Sequence, residues 1–129
     1  MVLAGHGAMA PGLVSAADVI IGPQQACAGV ALAEEDSPER FQQRLAAAVE
    51  AADEGAGVLV LADLPGATPF TAAARLAHTR PAVELVAGVN LPMLLEVLMQ
   101  RDGQSLAEAA ATAADAGTRG VVRWSAPAA

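Results

Sequence analysis

Lysine is missing from this 129-residue chain: all seven basic residues are arginine, against 14 acidic residues, for a formal net charge of −7. Nucleic-acid phosphates require a basic stripe, so a nucleic-acid partner is excluded as an expectation. Aromatic residues make up 2% of the chain, and there is a single cysteine, Cys27. One cysteine makes no internal disulfide and no cysteine-based metal site, and Cys27 lies in an apolar run that reads as core. Nowhere does an apolar run reach the roughly 18–20 residues of a membrane span. The segment after Met1 lacks the basic region of a signal peptide. The expectation is a cytoplasmic protein with no cofactor and no metal. What remains is 54% hydrophobic, with a mean hydropathy of +0.43. With so few aromatics the core must be built of Ala, Val, Leu and Ile, a composition suited to helices lying closely on a sheet.

The length suits one domain, expected over 1–124 with a loose tail over 125–129. Val2-Leu3-Ala4 is a short strand that ends at Gly5-His6-Gly7. Residues Ala8 to Ile21 carry apolar positions at helical spacing, with Pro11 tolerable only in a first turn. Ala26 to Leu32 reads as a strand. Ser37 and Pro38 read as cap and first residue of a helix running to about Asp53, closed by Gly55 and Gly57. Val58 to Ala62 is a continuous apolar run, the mark of a central parallel strand covered on both faces. Asp63 to Pro69 opens another helix with Thr68 as its expected cap. Val83 to Ala87 is a strand closed by Gly88-Val89-Asn90. Leu91 to Arg101 and Ser105 to Ala116 are helical, the second stopped by Gly117, and Val121 to Trp124 is a final strand. Alternating strands and helices imply an α/β fold with a parallel sheet and right-handed crossovers.

In an open sheet of this kind ligands bind beyond the carboxyl ends of the strands. Three loops leave such ends: Gly5-His6-Gly7, Asp63 to Thr68, and Gly88-Val89-Asn90. His6 is one of two histidines. Glycine on either side leaves its ring uncrowded, and the helix that follows offers unpaired N–H groups to an anion. A neutral imidazole is a competent nucleophile near pH 7, because its reference pKa is about 6.5. A carboxylate on its other nitrogen would set the tautomer, and Asp63, at the end of the most apolar strand, is the natural candidate. Position alone leaves plainer readings open. His6 and Asp63 could serve as turn or capping residues, Thr68 as a helix cap, and Asn90 as a turn residue. His78 suits a helix C-terminus and is assigned no role. There is no P-loop, zinc motif or Ser/His/Asp order.

Three segments carry a resemblance along nearly the whole chain. They are Val2-Leu3-Ala4-Gly5-His6-Gly7 with Pro11-Gly12-Leu13, Leu61 to Phe70, and Gly88-Val89-Asn90-Leu91-Pro92-Met93-Leu94. Their order and spacing resemble the IIA domain of the mannose-family sugar phosphotransferase system. The resemblance implies a sheet of order 2-1-3-4 in an open three-layer fold. It also implies an antiparallel C-terminal edge strand that a dimer can exchange. It implies a phosphocarrier that accepts phosphate from the phosphocarrier protein HPr on His6, through Nε2, and passes it to a IIB component. Asp63 would hold the other ring nitrogen and the Thr68 hydroxyl would lie near the phosphate. Gly5, Gly7, Gly66, Ala67 and Asn90 would line the phosphate and partner site. Any association with a membrane permease would be indirect. Against the family's common second motif, Pro65 replaces a Phe, Ala67 a Gly, Thr68 a Ser and Thr71 an Asn. Thr68 keeps the hydroxyl, while Pro65 and Ala67 stiffen the loop and bear on partner docking. Two other readings compete: a regulator of the same fold read by its phosphorylation state, to which the phosphotransfer subunit of dihydroxyacetone kinase is related, and an anion-binding module without turnover.

Overall fold

The computed structural model describes residues 1–129. The elements follow in the order β1 (Val2–His6), α1 (Met9–Ile21), β2 (Ala28–Leu32), α2 (Pro38–Ala52), β3 (Val58–Ala62), α3 (Thr68–Thr79), β4 (Val83–Ala87), α4 (Leu91–Gln100) and α5 (Leu106–Arg119). The four strands form one sheet of order β2-β1-β3-β4. Every pairing is parallel, with Val2 beside both Ala28 and Val60 and Val58 beside Val83. The α/β expectation and the strand order 2-1-3-4 are therefore met.

The apolar runs explain why β1 and β3 are central. Successive side chains of a strand point to opposite faces, so a strand covered on both sides must be apolar throughout. Leu3, Leu59 and Leu61 face one way, against Met93, Leu94, Val97 and Ala113 of α4 and α5 and Ala10 and Ala17 of α1. Val2, Ala4, Val58 and Val60 face the other, against Phe41, Leu45 and Val49 of α2 and Ala72, Ala73 and Leu76 of α3. Phe41, fully buried, is the largest side chain of the core. Small side chains bring the layers close. At Gly29 of β2 a Cβ would lie 2.6 Å from the Ala10 carbonyl carbon and the Pro11 nitrogen, so α1 rests its first turn directly on the strand.

Several boundaries differ from the sequence reading. Strand β2 begins at Ala28, not Ala26, because Ala26 has φ +48°, outside the extended region. The N-cap of α3 is Ala67, and Thr68 is the first helical residue. Gly117 does not stop α5, which continues to Arg119. Its missing Cβ is used for packing instead: a Cβ there would meet Met93 Cε at 2.6 Å, and one at Gly120 would meet Pro92 Cβ at 2.5 Å. Close helix contact outweighs the roughly 1 kcal/mol that glycine costs inside a helix. Val121 to Trp124 does not form the expected fifth strand, and the sheet has four. A strand needs a partner edge, but these residues make no ladder bond within the chain, with Val121, Val122 and Trp124 about four-fifths exposed.

Candidate active site

The parallel register that sets Ala4 beside Ala62 puts the carboxyl ends of β1 and β3 side by side. His6 is the last residue of β1, and Asp63 is the first beyond β3, its N–H bonded to the Ala4 carbonyl at 3.1 Å. Asp63 Oδ2 lies 2.6 Å from His6 Nδ1 and accepts the His6 backbone N–H at 2.8 Å. Its Oδ1 accepts the Leu64 N–H at 2.8 Å. Asp63 is the one buried charged residue in the chain, 8% exposed, whereas the His6 ring is 49% exposed.

Burial by itself would raise the Asp63 carboxyl. The His6 backbone N–H, the His6 ring and the Leu64 N–H together outweigh that and hold it below the ordinary carboxylate value. A carboxylate at Nδ1 keeps the proton on that nitrogen. The lone pair then sits on Nε2, on a ring that is half open to solvent.

The glycines around this pair have definite tasks. Buried Gly5 sits where the strand end meets the carboxylate and α1: a Cβ there would lie at ordinary contact distance, 3.4 Å from Asp63 Oδ2 and 3.7 Å from the Ala10 nitrogen. Gly7 turns the chain from β1 into α1 at φ +55° while its N–H bonds the Leu32 carbonyl at 2.8 Å. Gly66, at φ +81°, makes the corresponding turn ahead of α3.

Helix capping sets the two elements beside the pair apart. The N-caps of α2, α4 and α5 are Ser37, Asn90 and Ser105, each accepting a backbone N–H with its side chain. Those of α1 and α3 are Ala8 and Ala67, with no side-chain cap. These are the helices that follow β1 and β3. Their first-turn N–H groups and positive dipole ends remain available at the end of the sheet where His6 stands.

Of the residues singled out in the sequence, His6 and Asp63 are in direct contact, with Gly5 and Gly7 around them. Gly66, Ala67 and Thr68 lie on the loop and first turn that leave Asp63. The Thr68 side chain is half-buried and caps nothing. Asn90 caps α4. Its Oδ1 accepts the Met93 N–H at 3.0 Å and its Nδ2 donates to the Gly117 carbonyl at 3.0 Å, so its amide pins α5 to the start of α4. The Leu64 and His6 backbone donors escaped the sequence reading, because main-chain groups leave no residue signature. The contrast in caps was the available signal, alanine standing where the other helices carry Ser or Asn. Exposed Met9 and Leu64 flank the pair, and exposed Glu34 and Glu35 lie just beyond Leu32, the neighbour of His6 in the sheet. No group of three His, Cys, Asp or Glu side chains converges as a metal site would require.

The family model described as the PTS system fructose IIA component matches residues 1–114. The chain belongs to this IIA family. Its mannose-specific EIIAB relative from Escherichia coli K12 is 34% identical over 122 residues, covering 94% of this chain. The chain spans only 38% of that relative's length. The fructose-specific EIIA component of Bacillus subtilis is 31% identical over 106 residues, 82% of this chain and 73% of the relative. Among solved structures, the mannose/sorbose-specific IIA subunit from Enterococcus faecalis superposes with a TM-score of 0.90 at 32% identity, covering 99% of this chain and 96% of that one. No helix in this chain is long and apolar enough to cross a membrane.

Proposed function

We propose that this IIA protein is a phosphocarrier that accepts phosphate from HPr on His6 and passes it to a IIB component. The observation that carries this reading is the 2.6 Å contact between Asp63 Oδ2 and His6 Nδ1. With the proton held on Nδ1, the Nε2 lone pair attacks the phosphorus of the donor phosphohistidine. The new P–N bond forms as the donor's P–N bond breaks. The imidazole gains positive charge, and the buried Asp63 carboxylate stabilises it. Uncapped N–H groups at the starts of α1 and α3 receive the phosphoryl oxygens, and Thr68 adds a hydroxyl. Transfer to IIB is the same step with the roles exchanged. Catalysis consists of positioning and electrostatics.

The exposed Glu34 and Glu35, and the overall charge of −7, call for a donor with a basic face. Transfer insensitive to salt would contradict this. In this reading the protein acts in the cytoplasm as one domain over 1–124 with a tail over 125–129, and meets a permease only through IIB. It forms a homodimer in which Val121 to Trp124 pairs with the open edge of the partner's β4. Support comes from three exposed apolar side chains beyond α5 and a β4 edge that no strand of its own chain covers. A chain ending at Gly120 should then sediment as a monomer, and a dimer of that length would contradict the pairing.

Labelled phosphate from phosphoenolpyruvate, delivered through Enzyme I and HPr to the parent and to His6→Ala, tests the central proposal. Label on the parent that is lost in the variant, labile to acid and stable to base, is the expected result. An unlabelled parent with cognate partners overturns it and leaves an anion-binding module.

A further inference from the structure

The sheet ends in two edge strands, β2 and β4, and the chain treats them differently. An edge strand presents unpaired main-chain N–H and C=O groups on which another strand can add. No side chain bonds β4; along the chain the nearest side-chain hydrogen bonds belong to Thr79 and Asn90. Strand β2 is different. The Leu32 carbonyl accepts the Gly7 N–H, and the Ala28 N–H donates to the Met1 carbonyl, so Ala28, Val30 and Leu32 turn their main-chain groups to β1. Alternation along the strand turns those of Gly29, Ala31 and Ala33 outward.

Two of these outward groups are taken by side chains. Arg44 of α2 donates from Nη2 to the Ala31 carbonyl at 2.9 Å, and the Ala33 N–H donates to Asp36 Oδ2 at 2.8 Å. The two side chains also meet, Arg44 Nη2 donating to Asp36 Oδ2. The guanidinium lies 5.6 Å from the centre of the Phe41 ring, which the core holds fully buried. With Arg44 45% exposed, an ion pair so open to water adds little stability. What distinguishes it is its place along the strand edge. Strand β2 itself reads Ala-Gly-Val-Ala-Leu, with none of the charge or proline that usually blunts an edge.

We propose that Arg44 and Asp36 guard the β2 edge against pairing with β2 of a second copy, and so confine strand addition to β4. Two copies of one edge strand pair antiparallel about a two-fold axis, the commonest symmetry of protein pairs, so β2 is its own natural partner. If the β4 edge is covered in a dimer, two open β2 edges would link dimers into an unclosed array. Leu32 lies beside His6, so a second copy on this edge would also stand next to the Glu34–Glu35 turn, in the path of a donor protein. That last consequence rests on phosphoryl transfer at His6; the guard itself does not.

Arg44→Met keeps an aliphatic stem over Phe41 and removes the guanidinium, and Asp36→Ala frees the Ala33 N–H. Each is sedimented over a range of concentrations, both in the full chain and in a chain ending at Gly120. In both lengths each variant should at least double its sedimenting mass over the matching parent as concentration rises. Arg44→Met makes the net charge of −7 more negative, which opposes association, so a gain in mass would come from the opened edge. Amide hydrogen exchange locates the contact, because the outward N–H groups of Gly29 and Ala31 should become protected on association. Labelling of Arg44→Met from phospho-HPr should fall as the variant associates and recover on dilution. The guard is overturned if both variants sediment like their parents, or if they associate with the Gly29 and Ala31 amides unprotected. Labelling that ignores association overturns the link to His6. A parent that takes no label contradicts the phosphocarrier reading and leaves the sedimentation test intact.

Discussion

Replacing Asp63 by Asn separates charge from shape at the candidate site. Oδ2 serves two donors, the His6 N–H and Nδ1–H, and Oδ1 serves one, the Leu64 N–H. An asparagine therefore turns its remaining oxygen to His6 and its NH₂ to Leu64. The ring keeps its orientation, but the bond to Nδ1 changes from charge-assisted, worth about 1.5–3 kcal/mol, to neutral, worth about 0.5–1.5 kcal/mol. The difference of about 1–1.5 kcal/mol falls on the step in which the imidazole becomes positive, and corresponds to roughly a tenfold loss in transfer. The Leu64 N–H now faces another donor in a part-buried place, which lowers folding stability by about 1 kcal/mol, the low end of the cost of an unmet donor. The assay is the initial rate of labelling from phospho-HPr, alongside urea unfolding of the same preparation. Asp63→Asn labelled at the parental rate would refute the reasoning, since the carboxylate would then stabilise nothing in the reaction.

Other expectations follow from neighbouring features. Asn90→Ala removes both the α4 cap and the tie to Gly117, and should cost about 1–2 kcal/mol in urea unfolding while phosphorylation of His6 proceeds; loss of labelling in a folded variant would instead place Asn90 at the phosphate. Gly29→Ala forces α1 off β2, because its Cβ meets main-chain atoms at 2.6 Å. It should destabilise by about 1–3 kcal/mol, and an unchanged urea midpoint would contradict the close packing. Because Asp63 is held below its ordinary value in the fold, the unfolded carboxyl takes up its proton first as pH falls. The stability it confers is complete above the unfolded value of about 3.9 and is lost as pH drops through the lower folded value. Acid unfolding of the parent should therefore show a component that Asp63→Asn lacks, and superimposable acid limbs would contradict it.

Much of this protein was determined locally, by its sequence alone. The order of strands and helices came from apolar runs and from Gly and Pro punctuation, signals that act over a few residues. The strand order 2-1-3-4 and the pairing of His6 with Asp63 came from the likeness of three spaced motifs and from the rule that sites form at strand ends. What the tertiary structure alone decided depends on partners far away in the chain. Asn90 meets Gly117, 27 residues on, and so ties α5 to the start of α4. Gly117 extends α5 instead of ending it, because contact with Met93 outweighs glycine's local preference. Val121 to Trp124 has the composition of a strand but finds no edge within its own chain. Asp63 binds two main-chain N–H groups that no residue pattern encodes. A cavity lined by Ala26, Ala56 and Arg101 draws on three separate loops, and only folding brings them together. Periodicity reports which face a residue turns inward, but hydrogen bonds and close contacts depend on what the fold sets opposite it.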